Sequence, residues 1–227
     1  MLSGEGIKTV ASSSLLFLVS FIVFVIPVFS IEFHTPLYTY SFVAVFFAAV
    51  FCTERHRRPL FVFAVIAIIL RLVTGWIMIE TLNQITQLVI VIFFFVVIFQ
   101  LLSHIVRQQR VTPRVILEAI NGYLLLGLGF SFLVGLAMKI GAQAFSFPTE
   151  ASRIIHHNFI YFAFVTMSTL GYGEIVPLTP MAKSLSNLMS VSGQLYLAVL
   201  IALLVGKYIA FWLARETHDK KTGKPQG

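Results

Sequence analysis

The chain has 227 residues, of which 58% are hydrophobic and only 11% charged, and its mean hydropathy is +0.93. A soluble domain of this length is not so apolar, so the chain belongs in a membrane. The formal charge of +7 resides in short Lys and Arg clusters between long apolar runs, which marks membrane flanks and argues against a nucleic-acid surface. The single cysteine, Cys52, has no partner for an intrachain disulfide, and no Cys/His spacing resembles a zinc or iron-sulfur site.

A helix needs about 20 apolar residues to cross a bilayer core. Six segments meet or approach that length, at about 12–31, 37–53, 59–79, 86–106, 120–141 and 181–212. The second has the shortest clean core. Tyr38, Tyr40 and Trp76 are expected at one interface, and Tyr123, Tyr208 and Trp212 at the other. The first segment, preceded by Lys8, has some features of a signal peptide. No small-residue cleavage site follows it, however, and five further spans do.

Arg55, Arg57 and Arg58 follow span two, and Arg107, Arg110 and Arg114 follow span four. Lys207, Arg215, Lys220, Lys221 and Lys224 come at the C-terminal end. With Lys8 these fall on one side, whereas the other side holds only Lys139, Arg153 and Lys183. The positive-inside rule then makes both termini cytoplasmic, in a multi-pass protein of the cell membrane.

About 40 residues join spans five and six, and much of this stretch is apolar, from Phe159 to Met167. Non-helical backbone at membrane depth is tolerated only when buried in protein or lining a watery cavity. The pattern therefore predicts a re-entrant half-helix, within 152–168, that leads into Thr169-Leu170-Gly171-Tyr172-Gly173. Gly171 and Gly173 can adopt positive φ without a Cβ clash. With Gly near 7% of residues, a chance Thr-x-Gly-Tyr-Gly in a chain of this length has odds of roughly one in several hundred.

The stretch from Tyr161 to Glu174, YFAFVTMSTLGYGE, resembles the pore-helix and filter signature of voltage-gated-type potassium channels and their bacterial relatives. The likeness runs on through Pro177, Thr179 and Gly193 and covers about the last 100 residues. It implies an all-α integral membrane protein with six transmembrane helices, a re-entrant pore helix and filter between the fifth and sixth, and a tetrameric pore. It also implies a bacterial-type member without a charged sensor. Backbone carbonyls of Thr169, Leu170, Gly171 and Tyr172, with the Thr169 hydroxyl, are the implied K+ ligands, Gly173 completes the filter, and four subunits contribute. Tyr161, Phe162, Thr166 and Glu174 are the implied filter support, and Tyr172 should turn its ring away from the axis into surrounding protein. The helix before the filter points its negative dipole end at the cavity. Three departures from the family pattern stand out. Leu170 occupies the usual Val or Ile position and Glu174 that of Asp, while Tyr161 and Phe162 replace a bracing tryptophan pair.

Thr179-Pro180 reads as an N-cap and first-turn proline. The sixth helix from there to Ala214 would exceed a membrane core at about 50 Å. By the same resemblance Gly193 is the hinge, and Gln194, Leu197, Ile201 and Val205 line the pore, with an apolar cytoplasmic end able to gate by dewetting. Ala198, Ala202, Gly206 and Ala210 form one small-residue stripe, and Gly127, Ser131 and Gly135 another, both read as close helix packing. Arg71 lies mid-span in segment three, with Glu32 and Glu80 as distant candidates for a partner. His156 and His157 begin the pore helix, where external pH sensing is one reading and an interfacial position the plainer one.

The expected layout is an N-terminus at 1–11, a four-helix sensor-like domain at 12–106, a linker at 107–119, a pore domain at 120–214 and a tail at 215–227. The expected function is passive K+ conduction by a homotetramer among membrane lipids, with no catalysis, no nucleic acid and no cofactor beyond permeant K+. A non-selective cation channel of the same architecture is the first alternative. A haem-holding membrane oxidoreductase is disfavoured, because His34, His56, His104, His156, His157 and His218 fall at segment ends or in loops. Voltage sensing needs Arg or Lys at every third position within a membrane helix, and Thr86–Leu102 has none. Conductance should therefore depend weakly or not at all on voltage. A steep conductance-voltage curve carrying several gating charges would refute this reading.

Overall fold

The structure is a computed structural model that describes residues 4–29, 31–52, 57–76, 80–108, 111–141, 143–148 and 156–222. Its helices are α1 (Gly4–Ser20), α2 (Ile31–Cys52), α3 (Arg57–Trp76), α4 (Glu80–Arg107), α5 (Pro113–Ile140), α6 (His156–Met167) and α7 (Pro180–Thr222). The two-residue strands β1 (Phe145–Ser146) and β2 (Val176–Pro177) pair antiparallel, Phe145 opposite Pro177 and Ser146 opposite Val176. After α1 the chain loosens into a π-helical turn at Phe21–Val25 and tightens to 3₁₀ at Ile26–Val28. Pro27 accounts for the change, since it lacks the N–H that a regular helix would need there.

Among the described residues, four helical stretches are long and apolar enough to cross a membrane: Thr9–Val28, Thr81–Arg107, Pro113–Ile140 and Pro180–Leu213. A shorter apolar helix runs from Tyr40 to Cys52. Several helices extend beyond the sequence-predicted bounds: α1 begins at Gly4, α2 at Ile31 and α4 at Glu80. α5 starts seven residues earlier, where the Thr112 hydroxyl accepts from the Val115 N–H and Pro113 fills the first turn. α7 continues to Thr222. Its start is as predicted, with the Thr179 side chain accepting from the Ala182 N–H at 3.3 Å.

α5 is the centre of the molecule. It packs against α1, α4, α6 and α7, and Leu124 to Ser131 are buried without interruption, as expected of a helix enclosed on all sides. Lipid gives helices no hydrophobic reason to associate, so close packing and interhelical hydrogen bonds must do it. α5 uses both. Asn121 Nδ2 donates to the Ser12 carbonyl of α1 at 2.8 Å, and Gln87 Nε2 of α4 donates to the Phe132 carbonyl at 2.8 Å. The Tyr196 hydroxyl of α7 donates to the Ala119 carbonyl at 2.7 Å. Gly122 lies beneath the Tyr196 ring, Gly127 beneath Phe164 of α6, and Gly135 beneath Phe159 of α6 and Gln87. The stripe predicted on span five is thus a row of notches.

Phenylalanines fill the layer between α2, α4 and α5. Phe46 and Phe93 have ring centroids 4.3 Å apart, Phe42 and Phe132 are at 5.0 Å, and Phe94 stacks on Phe132 at 5.6 Å. Tyr38, expected at an interface, is buried and stacks on Phe42, whereas Tyr40 is exposed. Cys52 is a buried free thiol.

The glycine notches make opposite forecasts for neighbouring positions. A methyl group at Gly127 would collide with Phe164, so Gly127→Ala should destabilise the fold by about 1–3 kcal/mol. At Gly129 the nearest atoms, 3.5 Å or more from a built Cβ, are in ordinary contact. Gly129→Ala should be neutral or slightly stabilising through helix propensity. Thermal unfolding in detergent checks both.

Candidate functional site

The candidate site is the strand-like passage from α6 to β2. The last carbonyls of a helix need donors, and here the passage supplies them. Ser168 N–H donates to Phe164 O at 2.9 Å, and Thr169 N–H to Thr166 O at 3.0 Å. The N–H groups of Leu170 and Gly171 both donate to Val165 O, at 3.0 and 3.3 Å. The passage therefore spends its amides on α6. At its far end Ile175 is buried, β2 pairs with β1, and the Leu178 N–H donates to the Ala144 carbonyl at 2.9 Å. Both ends are fixed while the middle is exposed.

The backbone between these anchors alternates. Thr169, Gly171 and Gly173 have φ of +60°, +55° and +87°. Two are glycines, for which this costs little. Thr169 is β-branched, and a non-glycine residue held there stores on the order of 1–3 kcal/mol. Every second residue in a left-handed conformation reverses the usual alternation of carbonyl directions, so successive carbonyls can line one side. The Thr169 hydroxyl donates to the Ser168 carbonyl at 2.6 Å and keeps its lone pairs.

Around this passage the predicted support residues divide by chemistry. Phe162 is buried and meets Phe145 edge-on at 5.0 Å, clamping the β1 turn to α6. Tyr161 donates its hydroxyl to the Glu174 carboxylate, a bond that, with some burial, pushes its pKa up to about 12. Thr166 contributes its backbone carbonyl, as described above. Leu170 is 55% exposed and Tyr172 68% exposed, so the surroundings expected for the Tyr172 ring do not come from its own chain.

On α7, Gly193 is buried with its Cα against the Met167 carbonyl at the end of α6, where a Cβ would collide. Its small size lets the two helices touch beside the candidate site. Gln194, Ile201 and Val205 are exposed on the isolated chain, and Leu197 is partly buried against the core. Ala198, Ala202, Gly206 and Ala210 are also exposed, with nothing near a built Cβ at Gly206. Their stripe therefore has no packing partner among the described residues. Arg71 is half-buried, and its carbonyl accepts from Thr74 Oγ1 at 3.1 Å. The side chains of Glu32, His34, His56, Glu80, Arg153, His156 and His218 lie outside the described residues.

Sequence reasoning missed four features here: the positive φ of Thr169, the pairing of Phe145 with Phe162, the fit of Gly193 to Met167, and the bond from Tyr196 to α5. A lone tyrosine within an apolar helix was the only signal for the last.

Residues 132–210 match the Ion_trans_2 family, described as ion channel. They span the end of α5, all of α6 with the passage after it, and most of α7, so this part of the chain is an ion channel domain. Among curated proteins, voltage-gated potassium channel KCNC1 of Mus musculus is 32% identical over 142 residues, 56% of this chain and 27% of the relative. The rat protein of the same name is also 32% identical over 142 residues, which make up 23% of its length. A-type voltage-gated potassium channel KCND3 of Homo sapiens is 27% identical over 100 residues, 44% of this chain and 15% of the relative. The chain thus spans about a quarter or less of the length of these relatives. No solved structure matches it. Over the aligned residues the chain is similar to voltage-gated potassium channels, and its family match is to ion channels.

Tyr161→Phe should loosen residues 171–174 by on the order of 1 kcal/mol, the loss of a charge-assisted bond partly open to solvent. Hydrogen exchange at 171–174 should be faster in the variant than in the parent.

Proposed function

We propose that the chain is one subunit of a homotetrameric, potassium-selective channel that conducts K+ passively, with weak or no voltage dependence. The observation that carries this reading is the alternation of positive φ at Thr169, Gly171 and Gly173 while the neighbouring amides are spent on α6. That leaves carbonyls of Thr169, Leu170, Gly171 and Tyr172 to replace the water shell of K+. α6 points its C-terminal, negative end towards the same place. The relatives named as potassium channels support the choice of ion. Gly193, Gln194, Leu197, Ile201 and Val205 are the proposed hinge and pore-lining residues.

Assembly of four copies is supported by what a single chain leaves uncovered. Leu170 and Tyr172 are exposed on the single chain, and non-helical backbone at membrane depth must be buried in protein or line a watery cavity, which further copies would supply. In this reading α1 to α5 and α7 are six spans, α6 is re-entrant, and both termini are cytoplasmic in a cell membrane. No cofactor beyond the permeant ion is required. Leu170 and Glu174 at positions usually held by Val or Ile and by Asp favour one second reading, a non-selective monovalent cation channel of the same build.

Flux from liposomes decides between them. K+ efflux blocked by barium, with little Na+ flux, is the expected result. Equal K+ and Na+ permeability in bi-ionic reversal potentials would select the second reading, and no flux of either ion would overturn both.

A further inference from the structure

The half of α7 remote from the filter is the least supported part of the pore domain. Ile201, Ala202, Val205, Gly206 and Tyr208 to Leu213 are all exposed. Within that stretch Leu203, Leu204 and Lys207 are partly buried, and the Lys207 ammonium donates to the carbonyls of Ile105 at 2.5 Å and Val106 at 2.8 Å. These belong to the last turn of α4, whose final carbonyls have no donors within the helix and carry the negative end of its dipole. A flexible ammonium with three donors suits that place.

The α4 end that receives Lys207 is itself fixed. Glu118 of α5, whose side chain is 1% exposed, bonds Nδ1 of His104 at 2.5 Å and the Arg114 guanidinium at 2.8 Å. Nε2 of His104 meets the Gln108 amide at 2.9 Å. Breaking a buried pair of this kind leaves an uncompensated charge, so the α4–α5 corner resists movement. α7 has no such frame.

We propose that Lys207 is a positioning residue for the pore: it latches the lower half of α7 to the fixed end of α4 and so holds the apolar face of Ile201 and Val205 away from the channel axis. α5 packs against α4 and α7 alike, and α4 makes no comparable packing with α7, so the bond draws α7 outward, towards the rim. Released, the apolar faces of four copies can approach, and a narrow apolar ring excludes water and ions. This rests on the channel reading above.

Single-channel recording of the full chain in K+ separates the two claims, because unitary K+ current in the parent tests the channel and open probability tests the latch. Lys207→Met should lower open probability at least tenfold with unitary conductance and K+ selectivity unchanged, and Lys207→Arg, which keeps charge and donors, should restore most of it. Only folded tetramers give a unitary current. If Lys207→Met yields none, Val205→Asn in that background should return conductance by wetting the ring. Unchanged or raised open probability in Lys207→Met, no recovery in Lys207→Arg, or a silent double variant would each overturn the latch.

Discussion

A helix in lipid gains nothing from hiding apolar surface from its equally apolar solvent, so α5 must hold its neighbours by fit. Its glycines decide where the fit is made. Gly122, Gly127 and Gly135 lie under Tyr196, Phe164 and Phe159, which brings α7 and α6 close against α5. Gln87 reaches the same helix from α4, and Asn121 joins it to α1. Each aromatic ring buried in a notch gains many small dispersion contacts that a larger residue below it would prevent. The position of α6, and with it the whole passage to β2, follows from this row of small residues.

The passage itself is under tension between two anchors. On one side four of its N–H groups close the last turn of α6, and on the other a two-residue β pair holds Val176 and Pro177 beside Phe145 and Ser146. A chain so held can keep Thr169 at φ +60°, because relaxing it would cost bonds at both ends. Phe162 and Tyr161 reinforce the anchors by different means, one through ring contact with Phe145 and the other through a hydrogen bond to Glu174. In the family pattern an adjacent tryptophan pair occupies these places. Here the two tasks are shared between an apolar ring and a phenol, whose hydroxyl meets the Glu174 carboxylate.

The sequence was legible where local rules govern. Thr179-Pro180 marked the start of α7 because an N-cap and a first-turn proline act within one turn. Helix α6 was visible as an apolar run bounded by Gly-Tyr-Gly, and Gly127 and Gly135 on α5 by their spacing. What stayed hidden depends on distant partners. Nothing near Phe145 announces its contact with Phe162, and nothing near Gly193 announces the Met167 carbonyl, so a residue that invited a hinge assignment has a packing reason as well. Tyr38 is buried against Phe42 whatever its depth in the bilayer, a contact that its amphipathic character alone does not announce.

Five residues, Gln108 to Thr112, separate α4 from α5, and this brevity constrains how the two halves of the chain can work together. A connection so short cannot carry α4 to a distant pore, so α4 packs on the α5 of its own chain. The Arg114–Glu118–His104 bonds lock the corner. A four-helix layer without charges within span four has little purchase on a membrane field, yet it need not be idle. Anchored to α5 at the corner and along the phenylalanine layer, it offers a fixed point beside a long inner helix that otherwise has few contacts at its lower end. Rigid support for one moving helix is a mechanical use of the layer that requires hydrogen bonds and packing but no gating charge.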